Sequence, residues 1–287
     1  MQGETIVVCG VTGRQGGAVA RHLLADGWRV RGISRDASSD RAKAVAATGV
    51  DVVQADMSDR AALERAFDGA AGLYSVQSFG LAGPEAEVLQ GKTVGDAAKA
   101  ARVRHVVYAS SGTGSKSGVP SWDTKVEVAD HLRALGLPLT VLRPECFMEI
   151  MTDKDFYPPV TAWHIMPRLT GAATIPWLAV DDLGAIVARV FADPARYIGA
   201  DIALAGDVKT VEECRAIWSE VHGKPPRRLP MPLWLFKRIA GPSGKDLPIM
   251  WTWLRTGDVP KNPEATRAIH PGVRTVRQWI EQERPAG

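Results

Sequence analysis

Apolar and polar positions follow two regimes along the chain. Through the first half, short β-branched or aliphatic runs at Thr5–Cys9, Trp28–Ile33, Asp51–Gln54, Gly72–Val76, Arg104–Ala109 and Leu139–Arg143 read as strands. The stretches between them, near 15–26, 39–48, 59–68, 85–101 and 122–136, carry apolar residues at helical spacing. Strand-helix alternation of this kind predicts an α/β fold: a doubly wound parallel sheet, helices on both faces, right-handed crossovers. Several strands are apolar nearly throughout, as strands covered on both faces are.

After Arg143 the alternation weakens. One more strand-helix unit is expected at about 175–192, then a strand at Asp201–Leu204 and a helix from about 210 to 222. Residues 231–254 are mostly apolar and helical, and seven of the nine tryptophans lie beyond residue 150. The change predicts two domains. Residues 1–150 carry the main sheet, to which the 175–192 unit returns, and residues 151–287 form a smaller, mostly helical α/β domain for a substrate or a partner.

Composition narrows the function classes. The 287 residues are 45% hydrophobic and 23% charged, ordinary values for a folded globular chain. The net charge of +3 is small and Lys and Arg are scattered among acids, which argues against a nucleic-acid partner. Lys224 with Arg227 and Arg228 reads as a solvated basic loop. No apolar run reaches the ~18 residues of a membrane span. The first strand-like run opens at Thr5, so no leader peptide is expected and the expected compartment is cytoplasmic. Cys9, Cys146 and Cys214 are odd in number and far apart, the pattern of reduced thiols. The six histidines show no paired ligand spacing, and no metal site is expected.

Candidate chemistry begins where the first strand ends. It runs into Gly10-Val11-Thr12-Gly13-Arg14-Gln15-Gly16-Gly17, and a helix follows with Val19, Leu23 and Leu24. Glycines let a tight turn approach a pyrophosphate closely, and the helix N-terminus offers N–H groups and the positive end of its dipole. A strand before the glycines and a helix after them is the context that a Rossmann-type dinucleotide site requires. The alternative is a glycine-rich turn with no ligand. The end of the second strand selects the cofactor. An NAD site usually carries an acid there, whereas this chain has Ser34-Arg35. Arg35 suits a bidentate contact with a 2′-phosphate, and Arg14 in the turn is a second candidate for the same group, so NADP(H) is the expected cofactor.

At these residues the sequence resembles the NmrA-like family, a branch of the atypical short-chain dehydrogenase/reductase superfamily. The resemblance continues through Asp56-Met57, Gln90-Gly91-Lys92, Arg104–Ser111, Leu142-Arg143-Pro144 with Phe147-Met148-Glu149, Ala179-Val180-Asp181-Asp182, Thr266-Arg267 and His270-Pro271-Gly272. It implies that Asp56 and Met57 sit by the adenine, that Val76 and Gln77 pass under the nicotinamide ribose, and that Ser110 and Ser111 end the fifth strand at the nicotinamide. Pro144 to Phe147 would flank the nicotinamide on the substrate side. Phe147 and Met148 also fit ordinary core packing.

Catalytic members of the wider superfamily pair a Tyr with a Lys four residues on, the Lys lowering the tyrosine pKa and holding the ribose. Here Lys125 shares a predicted helical face with Val128, Leu132 and Leu135, and an inward lysine needs a partner. Ribose binding is one reason for its place, and snorkelling to the surface is the other. One turn earlier stands Ser121, not tyrosine. NmrA-like proteins often lack that tyrosine. The expected function is hydride transfer from NADPH to a small apolar or aromatic acceptor, a quinone or conjugated carbonyl, with Lys125, Ser110 and Ser121 as catalytic candidates. The alternative is a catalytically silent NADP(H) sensor acting through a protein partner. Trp234, Phe236, Trp251 and Trp253 are the expected pocket wall, with a domain core or a homodimer face as their competing roles.

Overall fold

A computed structural model of the protein describes residues 3–153, 161–228, 230–257 and 259–283. Its strands are β1 (Thr5–Val8), β2 (Arg29–Ser34), β3 (Asp51–Gln54), β4 (Gly72–Ser75), β5 (His105–Ala109), β6 (Leu139–Pro144), β7 (Cys146–Phe147), β8 (Ile175–Leu178), β9 (Asp201–Leu204) and β10 (Asp207–Lys209). Seven form one sheet in the order β3-β2-β1-β4-β5-β6-β9, and every pairing from β3 to β6 is parallel. β1 lies between β2 and β4, so the winding direction reverses there. That switch point is where open α/β sheets bind ligands, beyond the carboxyl ends of the strands.

Alternation along β1 distributes side chains to both faces. Val7 joins Phe67, Val94, Val128 and Leu132 in one core, formed with the helices Arg60–Phe67, Pro84–Ala100 and Pro120–Ala134. On the other side, a Cβ at Gly72 would come within 2.7 Å of Phe191 and 2.8 Å of Ile6, so the Val180–Ala192 helix lies directly on the strands. That helix also packs on the Arg14–Ala25 helix, where a Cβ at Gly184 would reach 2.7 Å from the backbone of Ala18. The doubly wound α/β fold read from the alternation is the observed one, and its first-half elements begin and end close to their expected limits.

Contacts divide the chain into two interleaved units. One comprises Met1–Ser111, Asp123–Arg143 and Val180–Ile202; the other comprises Gly112–Trp122, Pro144–Ala179 and Ala203–Gly287. A single cut after residue 150 therefore misplaces several segments. The 175–192 unit is itself split. Its helix belongs with the large sheet, but β8 pairs with β7 and β10 in a three-stranded sheet of the second unit. The reason is burial: Ile175 and Trp177 of β8 are fully buried in the second unit's own core.

That core also corrects the expected pocket wall. Trp251 is fully buried with Trp163, Trp177, Trp218 and Trp279, and Phe236 stacks on Trp251 with centroids 6.2 Å apart. Trp253 packs edge-on to Trp122 at 5.0 Å. Trp234, by contrast, is 67% exposed. Aromatic pairing inside the unit uses most of these rings as core. Among the described residues, no helix is long and apolar enough to cross a membrane.

Candidate functional site

The turn after β1 is built so that only glycine fits. Gly10 has φ +62, and its carbonyl accepts from the Gly13 N–H at 2.9 Å. A Cβ on Gly16 would lie 2.3 Å from the Gly10 oxygen and 2.8 Å from the Cys9 oxygen. Thr12 and Gln15 are half-buried beside it, and the Gln15 Oε1 accepts from the Tyr74 hydroxyl of β4 at 3.1 Å, tying the turn to the neighbouring strand. The Arg14–Ala25 helix starts from Gly13 without a side-chain cap and without an acid in its first turn. Its opening N–H groups and dipole face the strand ends, a local preference for an anion.

Cys9, just before the turn, is not a nucleophile. Burial pushes its thiol up to about 12 against the lowering effect of the Val76 N–H.

At the end of β2, Arg35 is exposed and, among the described residues, makes no hydrogen bond or ion pair. The neighbouring Asp36 does not claim it. The Asp36 carboxylate accepts from the Ser38 hydroxyl at 2.6 Å and the Ser38 N–H at 2.8 Å, and these bonds hold its pKa below the usual range. After β3, the Asp56 carboxylate accepts from the Ser58 N–H at 2.7 Å, which fixes the loop that carries Met57. After β4, Val76 is half-buried and Gln77 is 5% exposed. Gln77 donates to Ser75 Oγ at 3.1 Å and approaches the Met57 sulfur at 3.8 Å. Its Oε1 is buried with no hydrogen-bond partner among the described residues. Ser110 is buried at the end of β5, its N–H donating to the Leu142 carbonyl at 2.8 Å.

Lys125 does not snorkel. Its side chain is 15% exposed and its ammonium pairs with the carboxylate of Glu87, which is fully buried. Thr124 donates to the other Glu87 oxygen at 2.6 Å. The contact follows from helix packing. A Cβ on Gly91 would reach 2.6 Å from Val128, and one on Gly95 would reach 2.4 Å from Leu132. Positions 87, 91 and 95 of one helix thus meet 124–125, 128 and 132 of the other, step for step. The burial of Tyr108 and the nearby Glu87 charge push the Tyr108 hydroxyl well above its ordinary pKa. Glu87 was not singled out from the sequence. The available signal was a glycine pair four residues apart on its own helical face, which lets a neighbouring helix come close enough to share a carboxylate.

Within the second unit, Ser121 is half-buried, and its N–H donates to the Asp246 carboxylate at 2.9 Å. Asp246 is itself 4% exposed. Pro144 ends β6 buried, and Phe147 is half-buried in β7, in register with Leu178 of β8. Thr266, from one of the terminal motifs, is fully buried and accepts from the Ala205 N–H at 2.9 Å, so it anchors the chain after β9.

Comparison with known proteins adds the family. The NmrA-like family pattern matches residues 2–276. An NmrA-like family domain-containing oxidoreductase, lnaB of Aspergillus flavus, is 31% identical over 257 residues, covering 80% of this chain and 77% of that one. The corresponding oxidoreductase FrzB of a Cladobotryum species is 30% identical over 281 residues, covering 88% and 84%. Among solved structures, a Citrobacter triphenylmethane reductase complexed with NADP(H) superposes with a TM-score of 0.78 at 20% identity over 97% and 99% of the two chains. An NADPH-dependent quinone oxidoreductase from Escherichia coli gives 0.77 at 23% identity over 96% and 98%.

Proposed function

Because this chain belongs to the NmrA-like family, we propose that it is an NADPH-dependent oxidoreductase that passes hydride to a small apolar or aromatic acceptor, such as a quinone or a conjugated carbonyl. The observation that carries the reading is the turn at Gly10–Gly16, closed in a form that a Cβ at Gly16 would break, and followed by an uncapped helix N-terminus. The pyrophosphate fits Gly10, Thr12, Gly13, Arg14, Gln15 and Gly16. Arg35, with Arg14, answers the 2′-phosphate. Asp56 and Met57 serve the adenine, and Val76 and Gln77 serve the nicotinamide ribose. The orphaned Gln77 Oε1 is a buried acceptor suited to a ribose hydroxyl. Ser110 attends the nicotinamide.

When bound, NADPH supplies the hydride. The chain's own residues position it and handle charge. Lys125 is held in place by Glu87 and offers its ammonium to the ribose. Ser121 replaces the superfamily tyrosine, and a serine hydroxyl is too weak an acid to act alone. An acceptor whose reduction demands little acid catalysis suits such a site. The named activities of the triphenylmethane reductase and the quinone oxidoreductase among the solved structures support this choice. Mixing the chain with NADPH and a panel of planar quinones and enones, and following reduced-nicotinamide absorbance, tests it. Consumption that depends on both acceptor and protein is expected.

A sensor acting through a protein partner is the second reading. It is favoured by the exposed apolar side chains Trp234, Ile239 and Ile249 on the helices Leu233–Ile239 and Gly241–Trp253. No turnover across the panel, together with NADPH-dependent protection of residues 231–254 from protease, selects it.

A further inference from the structure

The second unit contains a cavity of about 640 Å³, within the size range of small-molecule sites. One wall comes from residues 164–169. Ile165 and Leu169, one turn apart, form its apolar part, and His164 and Arg168 form its polar edge. The other wall is the proline-rich stretch 230–233, which contributes Met231 and Leu233. Prolines fix the backbone here, so this wall is held at little entropic cost.

Charge distinguishes this cavity from an apolar gap. Arg168 lines the cavity beside His164, and after burial its positive charge and that of Arg228 lower the His164 pKa. Among the described residues, neither Arg168 nor Arg228 makes a hydrogen bond or an ion pair. A lining guanidinium with no carboxylate partner among the described residues, beside a wall of Ile165, Leu169, Met231 and Leu233, asks for an anion joined to an apolar body.

We propose that this cavity is a binding site for an organic carboxylate, its carboxylate held by Arg168 and its aromatic or aliphatic body lying on the apolar walls. The site lies wholly within the second unit, and its occupancy does not depend on the reductase reading.

Calorimetry on the full chain saturated with NADP⁺ tests this, using 2-naphthoate and decanoate as probes. Neutral 2-naphthalenemethanol, inorganic phosphate and phosphatidylglycerol vesicles serve as controls. Each naphthyl or decyl carboxylate should bind with one-to-one stoichiometry. 2-Naphthoate should bind about tenfold or more tighter than 2-naphthalenemethanol, the ratio expected for a charge-assisted contact. Arg168→Ala should collapse that ratio, and Arg168→Lys should restore part of it. Arg168 is exposed, so these variants keep the fold. Met231→Asp should weaken acid and alcohol alike. Equal affinity for acid and alcohol, an unchanged ratio in Arg168→Ala, or binding to vesicles but to neither soluble acid would overturn the proposal. Naphthoate binding to the chain without dinucleotide that is lost in the NADP⁺-saturated chain would also overturn it, by showing that the acid had occupied the dinucleotide site.

Discussion

The ammonium of Lys125 pairs with the carboxylate of Glu87, a side chain with no exposure to solvent. This pair changes what a lysine substitution tests. Removing Lys125 alone leaves a buried carboxylate uncompensated, a change that typically costs ~3–5 kcal/mol. Lys125→Ala should therefore lower the urea midpoint, not leave the fold untouched, and Glu87→Gln added to it should recover much of the loss. The double variant then isolates function. It should be folded and still bind NADPH more weakly than the wild type, if the lysine serves the ribose.

Gly16→Ala should be more damaging than its single methyl suggests. The new Cβ would sit 2.3 Å from the Gly10 oxygen and 2.6 Å from its carbonyl carbon, both backbone atoms of the turn itself. The turn must open to accept it. Fluorescence titration should show dinucleotide affinity lost by about tenfold or more, in line with the loss of charge-assisted backbone contacts. Unaltered affinity in a folded variant would remove the turn from the site.

His105 should make the protein acid-sensitive. Its Nε2 bonds Thr140 Oγ1 at 2.9 Å, and that hydroxyl in turn donates to the Tyr197 carbonyl, so Nε2 carries the proton. Nδ1 is buried without a partner among the described residues. Charging the ring would bury an unanswered N–H, and burial lowers the His105 pKa to about 4. The unfolded chain binds this proton near the ordinary value of about 6.5. His105 thus contributes full stability above that pH, and the contribution falls as pH drops from about 6.5 toward 4, by up to about 3 kcal/mol at roughly 1.4 kcal/mol per unit. Urea melts across this window should show a smaller decline in His105→Gln than in the wild type.

The two tryptophans at 234 and 251 should behave oppositely. Trp251 is fully buried, so Trp251→Ala should destabilise by ~3–5 kcal/mol through the cavity it leaves. Trp234 is 67% exposed, and Trp234→Ala should leave the melting temperature nearly unchanged. Equal effects on stability would contradict the core described for the second unit.

The sequence was informative where local physics decides the outcome. β1 to β6 and the helices between them follow period and turn chemistry, and the glycine turn announces itself by its place between Val8 and Arg14. It was silent where long-range contacts decide. β8 carries the same apolar signature whether it joins the large sheet or pairs with β7 and β10, and only the burial of Trp177 in the second core separates the two. The tryptophans read equally well as pocket or core. Glu87 drew no notice in the sequence, because its partner Lys125 lies 38 residues away.

Calorimetric titration of the wild type and Arg35→Ala with NADP⁺ and NAD⁺ bears most directly on the dinucleotide site. Arg35 is exposed at the end of β2, so its removal should not disturb the fold. The account predicts that the wild type binds NADP⁺ more tightly than NAD⁺, and that Arg35→Ala loses ~1.5–3 kcal/mol of NADP⁺ affinity while NAD⁺ affinity is unchanged. Equal affinities for the two dinucleotides in the wild type, or an equal loss of both in the variant, would contradict it.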